Sequence, residues 1–429
     1  MESTLKDRPR IAALVDLPRA TEAGGHVKYW ERIAHAAAEA ADFPFDLTVY
    51  FSGDAPDEVL SPAVRLRHLR PIFSTARLKF LPYVPDHTDL APYHPALARA
   101  LADCDLIHTT DGFFAFAKTA ERVARAKGKP LTTSFHTDTP SYARIFTRQT
   151  IETLFGRWPT LSRALIETWR APERQSAKTE RRLEQHLSAA TRAFATRRED
   201  RRLAERVLGA GRVDALRLGV DKALFDPSRR DRDALRRDYA IPSGGVAALF
   251  VGRVDVGKNV PILMEAAARA IAAGAPLHLI VAGLGPLRDA LAEKLEGHVS
   301  LPGFVPPGEL ARLYASVDFT VLPSEVEIGG MAPGEAMAAG SPLLVARGGG
   351  AADIYGETPA IWIVEAGVDA WTAALIEITK DARRRAPMRQ AALDDSARSL
   401  ASWTDVVRED LVPGWRAALT SAGAARERR

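Results

Sequence analysis

The chain has 429 residues, of which 46% are hydrophobic and 26% are charged. This composition excludes a disordered or fibrous protein, and the length is enough for two or three domains. The single cysteine, Cys104, excludes an internal disulfide and a metal site built from several cysteines. The net charge of +4 at pH 7 is a weak indication of nucleic-acid binding, and no nucleic-acid-binding motif accompanies it. No apolar run approaches the roughly 20 residues that cross a bilayer, and the polar first segment lacks the apolar region of a signal peptide, so we predict a cytoplasmic protein.

The first half of the chain alternates short apolar segments with helical ones. A strand is predicted at 11–17, followed by a turn that contains Gly24 and Gly25 and by a helix over 27–41. Further predicted elements are strands at 46–51, 106–109 and 131–135 and a long, arginine-rich helical stretch over 144–220. Alternation of strands and helices is typical of parallel sheets covered by helices on both faces.

The second half repeats this pattern and predicts a second domain of similar size. Its predicted elements are strands at 247–251, 277–282, 319–322, 342–345 and 361–364, with a helix beginning near Val260. The predicted fold class is therefore α/β, with two doubly wound domains over 1–217 and 218–403. The last segment, 404–429, is predicted to be helical and to pack back on the first domain.

The segment from Gly252 to Asn259 lies between a predicted strand and a predicted helix. Such turns offer backbone N–H groups and a positive helix end to anions, and Arg253 and Lys258 could straddle a diphosphate. The spacing is also close to a P-loop, but Asn259 stands where a hydroxyl should hold magnesium, which argues against a nucleotide-hydrolysing switch. An ordinary loop with two solvated cations is the alternative.

Two further segments follow predicted strands. Gly283 and Gly285 allow close backbone approach to a ligand, although a plain turn is the alternative because the third glycine of a dinucleotide site is missing. Glu327 and Glu335 lie before and within a short helix predicted at 333–339, so both carboxylates can reach the crevice where open α/β sheets bind ligands. Carboxylates accept hydrogen bonds from sugar hydroxyls, and the amides near Gly330, Met331 and Ala332 suit a phosphate. A helix start enriched in glutamate is the alternative.

In this order the three segments resemble the retaining nucleotide-sugar glycosyltransferases of family four, glycosyl transferases group 1. The family motifs are G-R-x4-K, G-x-G-P, and E-x7-E followed by A-M-A-x-G-x-P. The resemblance implies a GT-B fold, in which two Rossmann-like domains face a central cleft. It also implies a donor site with these parts: Arg253 and Lys258 on the diphosphate, Glu335 on the ribose, Glu327 on the sugar, the glycines Gly252, Gly283 and Gly285 around the phosphates, and Phe304 and Val305 in a strand that holds the base. Gly329 and Gly334 depart from the family, which usually has an aromatic and an apolar residue there.

The resemblance extends to the first half. The family places a glycine-rich loop near the donor phosphates and the acceptor. The resemblance therefore implies that Gly25 binds the donor and that His26 binds the acceptor. Members with an S-[FY]-H-T motif use its histidine, here His136, near the reacting carbon, where it orients the donor sugar or stabilises positive charge. Asp138 and Tyr142 would shape the acceptor pocket. The closest resemblance is to members that glycosylate membrane lipids, such as phosphatidylinositol mannosyltransferases and diacylglycerol glycosyltransferases.

The resulting expectation is a metal-independent transfer of a hexose, with retention, from a UDP-sugar to a hydroxyl of a lipid or glycolipid. No metal or other cofactor is expected, because the acidic pair Asp103 and Asp105 precedes a predicted strand instead of following one. A GDP-mannose-dependent mannosyltransferase, a glycosyltransferase for a polysaccharide or soluble acceptor, and a non-catalytic nucleotide-sugar-binding membrane module remain open.

An anionic membrane surface is the second predicted partner. Residues 144–220 carry a net charge of +8, which leaves −4 for the remainder. Basic and apolar or aromatic residues interleave over 65–81 and 144–182, a mixture suited to anionic bilayers. We therefore predict peripheral attachment to the inner face of the membrane. Solvated, charged helices with a core-facing apolar stripe are the alternative.

Overall fold

The computed structural model describes residues 8–20, 23–77 and 87–427. These divide into two α/β units. The N-terminal unit contains the described residues up to Arg217 and returns to include the segment that begins at Trp403. The C-terminal unit is Leu218–Ser402.

An eight-stranded sheet forms the centre of the N-terminal unit. Its strands are β1 (Arg10–Pro18), β2 (Asp46–Ser52), β3 (Glu58–Ser61), β4 (Val64–Leu69), β5 (Leu106–Thr109), β6 (Leu131–Ser134), β7 (Arg192–Ala195) and β8 (Val213–Ala215). They lie in the order β3-β4-β2-β1-β5-β6-β7-β8, and only the β3–β4 pair is antiparallel. The chain order reverses between β1 and β5, so the carboxyl ends of these neighbours form the switch point where open sheets bind ligands.

Helices cover this sheet. They are α1 (Gly25–Glu39), α2 (Pro95–Ala100), α3 (Ala115–Lys127), α4 (Thr139–Phe155), α5 (Pro159–Arg163), α6 (Ala171–Ala189) and α7 (Arg198–Leu208). A π-helical turn, Ala164–Thr168, follows α5. In α1 the buried residues Trp30, Ile33, Ala34 and Ala37 recur three and four apart, the spacing that turns one helix face toward a core.

One prediction for this unit is wrong. The helical stretch predicted over 144–220 is interrupted by the strands β7 and β8, which the Arg192–Asp214 ion pair joins at 2.6 Å. The first part of the predicted basic membrane segment, 65–81, is the strand β4, in which Val64 and Leu66 are buried while Arg65 and Arg67 are exposed. This alternation is the period of two expected of a strand with one buried face. Residues 78–81 of that segment lie outside the described residues.

The C-terminal unit is built on a six-stranded, fully parallel sheet. Its strands are β9 (Val246–Val251), β10 (Leu277–Ala282), β11 (Val299–Gly303), β12 (Phe319–Leu322), β13 (Leu343–Ala346) and β14 (Ile361–Val364), in the order β11-β10-β9-β12-β13-β14. Its helices are α8 (Arg232–Asp238), α9 (Val260–Ala272), α10 (Arg288–Lys294), α11 (Pro307–Ser316), α12 (Ala332–Ala338), α13 (Gly350–Tyr355), α14 (Val368–Lys380) and α15 (Ala382–Ser399). The switch point lies between β9 and β12.

Successive side chains of β9 belong to two different cores. Leu249 packs in a cluster with α11 and α12, whereas Ala248 and Phe250 pack in a cluster with α9 and α14. A strand buried on both faces favours apolar residues at nearly every position, and this accounts for the uninterrupted apolar run of β9. The predicted α/β class with two doubly wound sheets is confirmed.

The tail completes the N-terminal unit. It contains α16 (Trp403–Asp405), a π-helical turn over Val406–Leu411 and α17 (Val412–Glu427). Trp415 of α17 is fully buried. Arg217, the last residue of the unit before the chain leaves it, binds the carboxylate of Asp410 through its side chain at 2.7 Å.

Candidate functional site

The loop after β9 is held in shape by the buried carboxylate of Asp255. One oxygen accepts a hydrogen bond from the amide of Lys258 at 3.0 Å, and the other accepts one from Nε of Arg253 at 2.9 Å. Asn259 adopts the left-handed conformation, with φ of 57°, and its side-chain amide donates to the carbonyl of Pro323 at 3.0 Å. The two predicted phosphate ligands, Arg253 and Lys258, are thus oriented by Asp255, a residue that the motif pattern did not mark as functional.

The loop after β12 meets the loop after β9 at the switch point. Lys258 Nζ lies 2.7 Å from Glu327 Oε1, and Ser324 Oγ donates to the carbonyl of Gly257 at 3.3 Å. Both members of the ion pair are largely buried, with 15% of the lysine and 26% of the glutamate side chain exposed. Two residues that the sequence assigned to different parts of a donor therefore contact each other.

Glycines at the ends of β9 and β10 allow the two loops to pack against each other. A Cβ atom added to Gly283 would lie 1.8 Å from the carbonyl oxygen of Gly252, and one added to Gly285 would lie 2.3 Å from that of Val254. The sequence suggested that these glycines admit a ligand. In the structure these two positions also require glycine for another reason, because the backbones of the two loops lie in close contact there.

The loop before α12 depends on glycine in a similar way. Gly330 has φ of +62°, and an added Cβ would lie 2.3 Å from Glu327 Oε1. At Gly329 an added Cβ would lie 2.2 Å from Ile354, and at Gly334 one would lie 2.7 Å from Val220. Gly329 and Gly334 are the two positions that depart from the family pattern. At both, a neighbouring side chain occupies the space that a larger residue would need.

Glu335 lies in the first turn of α12, where the helix dipole favours a carboxylate. The helix begins at Ala332, directly after Met331. Burial, reinforced by the charge of Glu335, raises the pKa of both Tyr314 and Tyr355. The negative charge of Glu335 thus acts on two buried phenols, and both stay protonated at neutral pH.

Phe304 and Val305 do not form the strand that the resemblance implied. The strand β11 ends at Gly303, and the next helix, α11, begins at Pro307. Phe304 is 40% exposed, whereas Val305 is buried. The pair therefore lies in the loop at the carboxyl end of β11.

In the N-terminal unit, the residues at the start of α1 and the end of β6 come together. The rings of His26 and His136 are stacked, with their centroids 4.7 Å apart and 10° between their planes. The ring of Tyr29 lies 4.8 Å from that of His136, and Trp30 Nε1 lies 3.1 Å from His136 Nε2. The predicted His26 and His136 are thus neighbours, and the sequence did not single out Tyr29 or Trp30.

Burial determines the protonation of these imidazoles. It lowers the pKa of His26 to about 3. It also lowers the pKa of His136 well below its ordinary value, and the charges of His26 and His108 act in the same direction. Both rings are therefore neutral at neutral pH.

The other predicted residues of this unit have structural partners. Asp138 caps α4 by accepting a hydrogen bond from the amide of Ser141 at 3.1 Å, and its second oxygen lies 3.3 Å from Arg197 Nη1. Tyr142 stacks on Phe146 at 5.7 Å. Gly25 is the first residue of α1, and an added Cβ would meet no atom of the described residues within 4 Å.

Neither a metal cluster nor a membrane span is present in the part of the chain that the structure describes. Within residues 8–20, 23–77 and 87–427, no group of three or more His, Cys, Asp or Glu side chains could hold a metal ion. In the same ranges no helix combines the length and the hydropathy needed to cross a bilayer. Asp105 instead accepts a hydrogen bond from the amide of Arg10 at 2.8 Å.

Residues 231–395 match the family model described as Glycosyl transferases group 1. A D-inositol 3-phosphate glycosyltransferase from Thermobifida fusca is 29% identical over 372 residues, which cover 80% of this chain and 78% of the relative. A GDP-mannose-dependent alpha-(1-6)-phosphatidylinositol dimannoside mannosyltransferase from Mycobacterium tuberculosis is 34% identical over 142 residues, covering 33% of this chain and 37% of the relative. The match to several other curated relatives spans only about half of their length.

Among solved structures, a sucrose-phosphate synthase from Thermosynechococcus elongatus superposes with a TM-score of 0.69 at 18% identity. The superposition covers 96% of this chain and 100% of that one. That enzyme has the GT-B fold, which is the fold that the sequence motifs predict for the present chain.

Proposed function

Because the chain belongs to the glycosyl transferases group 1 family and has the GT-B fold, we propose that it transfers a hexose, with retention, from a nucleotide diphosphate sugar to a hydroxyl acceptor. The observation that carries this proposal is the contact between Lys258 and Glu327, which joins the loops at the switch point of the C-terminal sheet. A cation and a carboxylate, held together at that point, match the phosphate and the hydroxyls of a nucleotide sugar.

The proposed role of Arg253 and Lys258 is to stabilise the departing diphosphate. Negative charge grows on the phosphate oxygen as the bond to the sugar breaks, and prepositioned cations stabilise that charge without reorganising. The buried carboxylate of Asp255 contacts both the Arg253 side chain and the Lys258 amide, and so it supplies the preorganisation. In this proposal the loop amides from Gly330 to Ala332 add backbone donors, and the reaction requires no metal.

The two glutamates would bind the two sugars of the donor. Glu327, adjacent to Lys258, would accept hydrogen bonds from the transferred hexose, and Glu335 would accept those of the ribose. His136 would orient the hexose through a hydrogen bond. Because its ring is neutral, it would not place a full positive charge near the reacting carbon.

We favour a UDP-sugar as the donor, and GDP-mannose is the alternative. The family resemblance supports the first, and the relative from Mycobacterium tuberculosis, whose name specifies GDP-mannose, supports the second. For the acceptor we propose a membrane lipid or glycolipid that contains a hydroxylated headgroup. A soluble inositol phosphate is the alternative acceptor. The names of the two relatives specify an inositol phosphate and a phosphatidylinositol dimannoside.

An exposed apolar and basic surface supports a lipid acceptor. Trp158 and Trp169 are each 58% exposed, and Leu154 and Leu161 are 43% and 42% exposed. Arg157, Arg163 and Arg170 lie in the same segment and are also exposed. Tryptophan and arginine on one segment favour the interface of an anionic bilayer, and we therefore propose that residues 154–170 contact the inner face of the membrane.

A thermal-shift screen with UDP, GDP and their sugars tests the donor, because a ligand that binds the folded state raises the melting temperature. A transfer assay with phosphatidylinositol, its mannosides and inositol phosphate then tests the acceptor, and NMR of the product reports the anomeric configuration. Arg253→Ala and Glu327→Ala should each abolish transfer. Full activity in either variant contradicts the site, and donor binding without transfer to any acceptor supports the non-catalytic module.

Flotation with liposomes tests the membrane contact. We expect the chain to float with anionic vesicles more than with neutral ones, and the Trp158→Ser/Trp169→Ser double variant to lose most of that binding. Val59→Ser removes another exposed apolar side chain, 70% exposed on β3, and serves as the control. Equal flotation with both vesicle types would refute the proposal.

A further inference from the structure

Two neighbouring polar groups contact the same nitrogen of the His136 imidazole. Trp30 Nε1 and Ser134 Oγ lie 3.1 Å and 2.8 Å from the same ring nitrogen, Nε2. An indole N–H can only donate a hydrogen bond, so Nε2 must be the acceptor and cannot carry a proton. In a neutral ring the single proton is then on Nδ1.

A second imidazole constrains the same hydrogen-bond chain from the other end. His108 on β5 is fully buried, and its Nδ1 lies 3.2 Å from Trp415 Nε1. Because this indole also only donates, His108 Nδ1 is an acceptor, and the proton of the neutral ring is on Nε2. That nitrogen lies 2.9 Å from Ser134 Oγ, to which it donates.

Ser134 links the two rings in one direction. Its oxygen accepts from His108 Nε2, so its single proton is directed to His136 Nε2. Thr132 Oγ1, 2.9 Å from His108 Nδ1, can donate to that nitrogen and is compatible with this arrangement. If the chain ran the other way, His136 Nε2 and His108 Nδ1 would carry the protons. An N–H would then face an indole N–H at both ends, and buried polar groups would lose their partners.

Aromatic contacts also resist rotation of the His136 ring. His26 stacks on one face, and the ring of Tyr29, whose hydroxyl donates to the carbonyl of Arg217 at 3.1 Å, packs at 4.8 Å. Rotating the ring by half a turn would remove Nε2 from both Trp30 and Ser134. Two indoles at opposite ends of the chain thus require the same single arrangement of protons.

We propose that Trp30, Trp415, His108 and Ser134 are positioning residues that fix His136 as the tautomer protonated on Nδ1. His136 then offers the substrate a hydrogen-bond donor and no lone pair. The ligand group that fits this donor is an oxygen with a lone pair, such as a hydroxyl of the donor sugar. The tautomer follows from the geometry alone, whereas its use in transfer depends on the proposed function.

Long-range ¹H–¹⁵N correlation NMR on the full chain, labelled with ¹⁵N-histidine, tests the tautomers directly. The spectra of His136→Gln and His108→Gln assign the two rings. We expect His136 to be protonated on Nδ1 and His108 on Nε2. Protonation of His136 on Nε2, or of His108 on Nδ1, would overturn the proposal whether or not the chain transfers a sugar.

Variants then test the positioning. The Trp30→Phe/Ser134→Ala double variant removes both donors to His136 Nε2 and should give a mixture of tautomers. Trp415→Phe should do so at His108. Trp371→Phe is the matched control: this indole is also fully buried, but its Nε1 has no hydrogen-bond partner among the described residues, so both histidines should keep their tautomers.

Kinetics separate a positioning role from a structural one. With the donor found in the thermal-shift screen, kcat of the Trp30→Phe/Ser134→Ala variant should fall about tenfold, with a smaller change in KM. Trp371→Phe should retain the wild-type kcat. A mixture of tautomers without any loss of kcat would refute the positioning role, whereas the absence of transfer by the wild-type chain would refute only the proposed function.

Discussion

Lys258 Nζ and Glu327 Oε1 lie 2.7 Å apart and join the loops that follow β9 and β12. Each loop follows a strand at the switch point of the sheet, the place where open α/β sheets bind ligands. Asp255 orients the Lys258 loop, and the glycine at 330 leaves room for the Glu327 carboxylate. The pair is therefore a built feature of the site and couples the two loops.

Lys258→Met and Glu327→Gln test this coupling. Each variant should lose most of the melting-temperature increase that the donor causes in the wild-type chain. Because the side chains touch, their effects on the free energy of unfolding should not add, and a double-mutant cycle should give a coupling of about 1 kcal/mol. Lys294 and Glu265, 3.0 Å apart on the surface of the same unit, are the control pair, and removing them should leave donor binding intact. Additive effects of the Lys258 and Glu327 substitutions would contradict the coupling.

Gly283→Ala should disrupt the contact between the loops after β9 and β10. The added Cβ would lie 1.8 Å from the Gly252 carbonyl oxygen, and a backbone atom cannot move aside as a side chain does. We expect a loss of more than about 2 kcal/mol in the free energy of unfolding, measured with urea, together with loss of donor binding. Gly308→Ala, in the first turn of α11, meets no described atom within 4 Å and should leave both unchanged or raise stability slightly.

Five of the six strands of the C-terminal unit, all except β11, could be predicted to within one residue, and the reason is physical. Each is a short apolar run because both faces of a parallel strand are buried, and glycine or proline often interrupts the chain nearby. The sequence pattern does not reveal β7 and β8, because they are strands of only four and three residues beside arginines, within a longer helical pattern. In β4, basic residues on the exposed face alternate with buried apolar ones, which is the mixture that predicted a membrane contact.

The candidate site was predictable only in part. Motif spacing identified Arg253, Lys258 and Glu327, and it could not show that two of them contact each other. His136 was found from a local motif, but its hydrogen-bond chain extends to Trp415, 279 residues away by the numbering. Contacts between distant segments arise from the strand order of the sheet, and a single sequence carries no local signal of that order.

Asp410→Ala should weaken the attachment of the tail to the N-terminal unit. The Asp410 side chain is 7% exposed. Its carboxylate accepts hydrogen bonds from the backbone amide and from the guanidinium of Arg217. Its removal should lower the free energy of unfolding by about 2 kcal/mol, because the amide and the guanidinium of Arg217 lose a charged acceptor that is shielded from solvent. Glu409→Ala removes a second carboxylate that binds Arg217. The Glu409 side chain is 61% exposed, so its loss should cost less than about 0.5 kcal/mol. Equal losses in the two variants would show that burial does not distinguish the two contacts.

Acid should destabilise the chain through its buried histidines. Burial lowers the pKa of His108 to about 3, below the ordinary value of about 6.5 that the unfolded chain has. The unfolded state therefore binds more protons below pH 6.5, and stability falls as pH decreases toward the folded pKa.

Between pH 7.5 and pH 5.5 the contribution of His108 to this loss is about 1.4 kcal/mol. Urea unfolding at the two pH values should show that His108→Gln is less sensitive to acid than wild type by that amount. The comparison is needed because burial raises the pKa of Asp16 and Asp111, which opposes the loss on acidification in both proteins. His35→Gln removes an exposed histidine from α1 and is the control. An identical pH dependence of His108→Gln and wild type would mean that His108 is not buried in its neutral form.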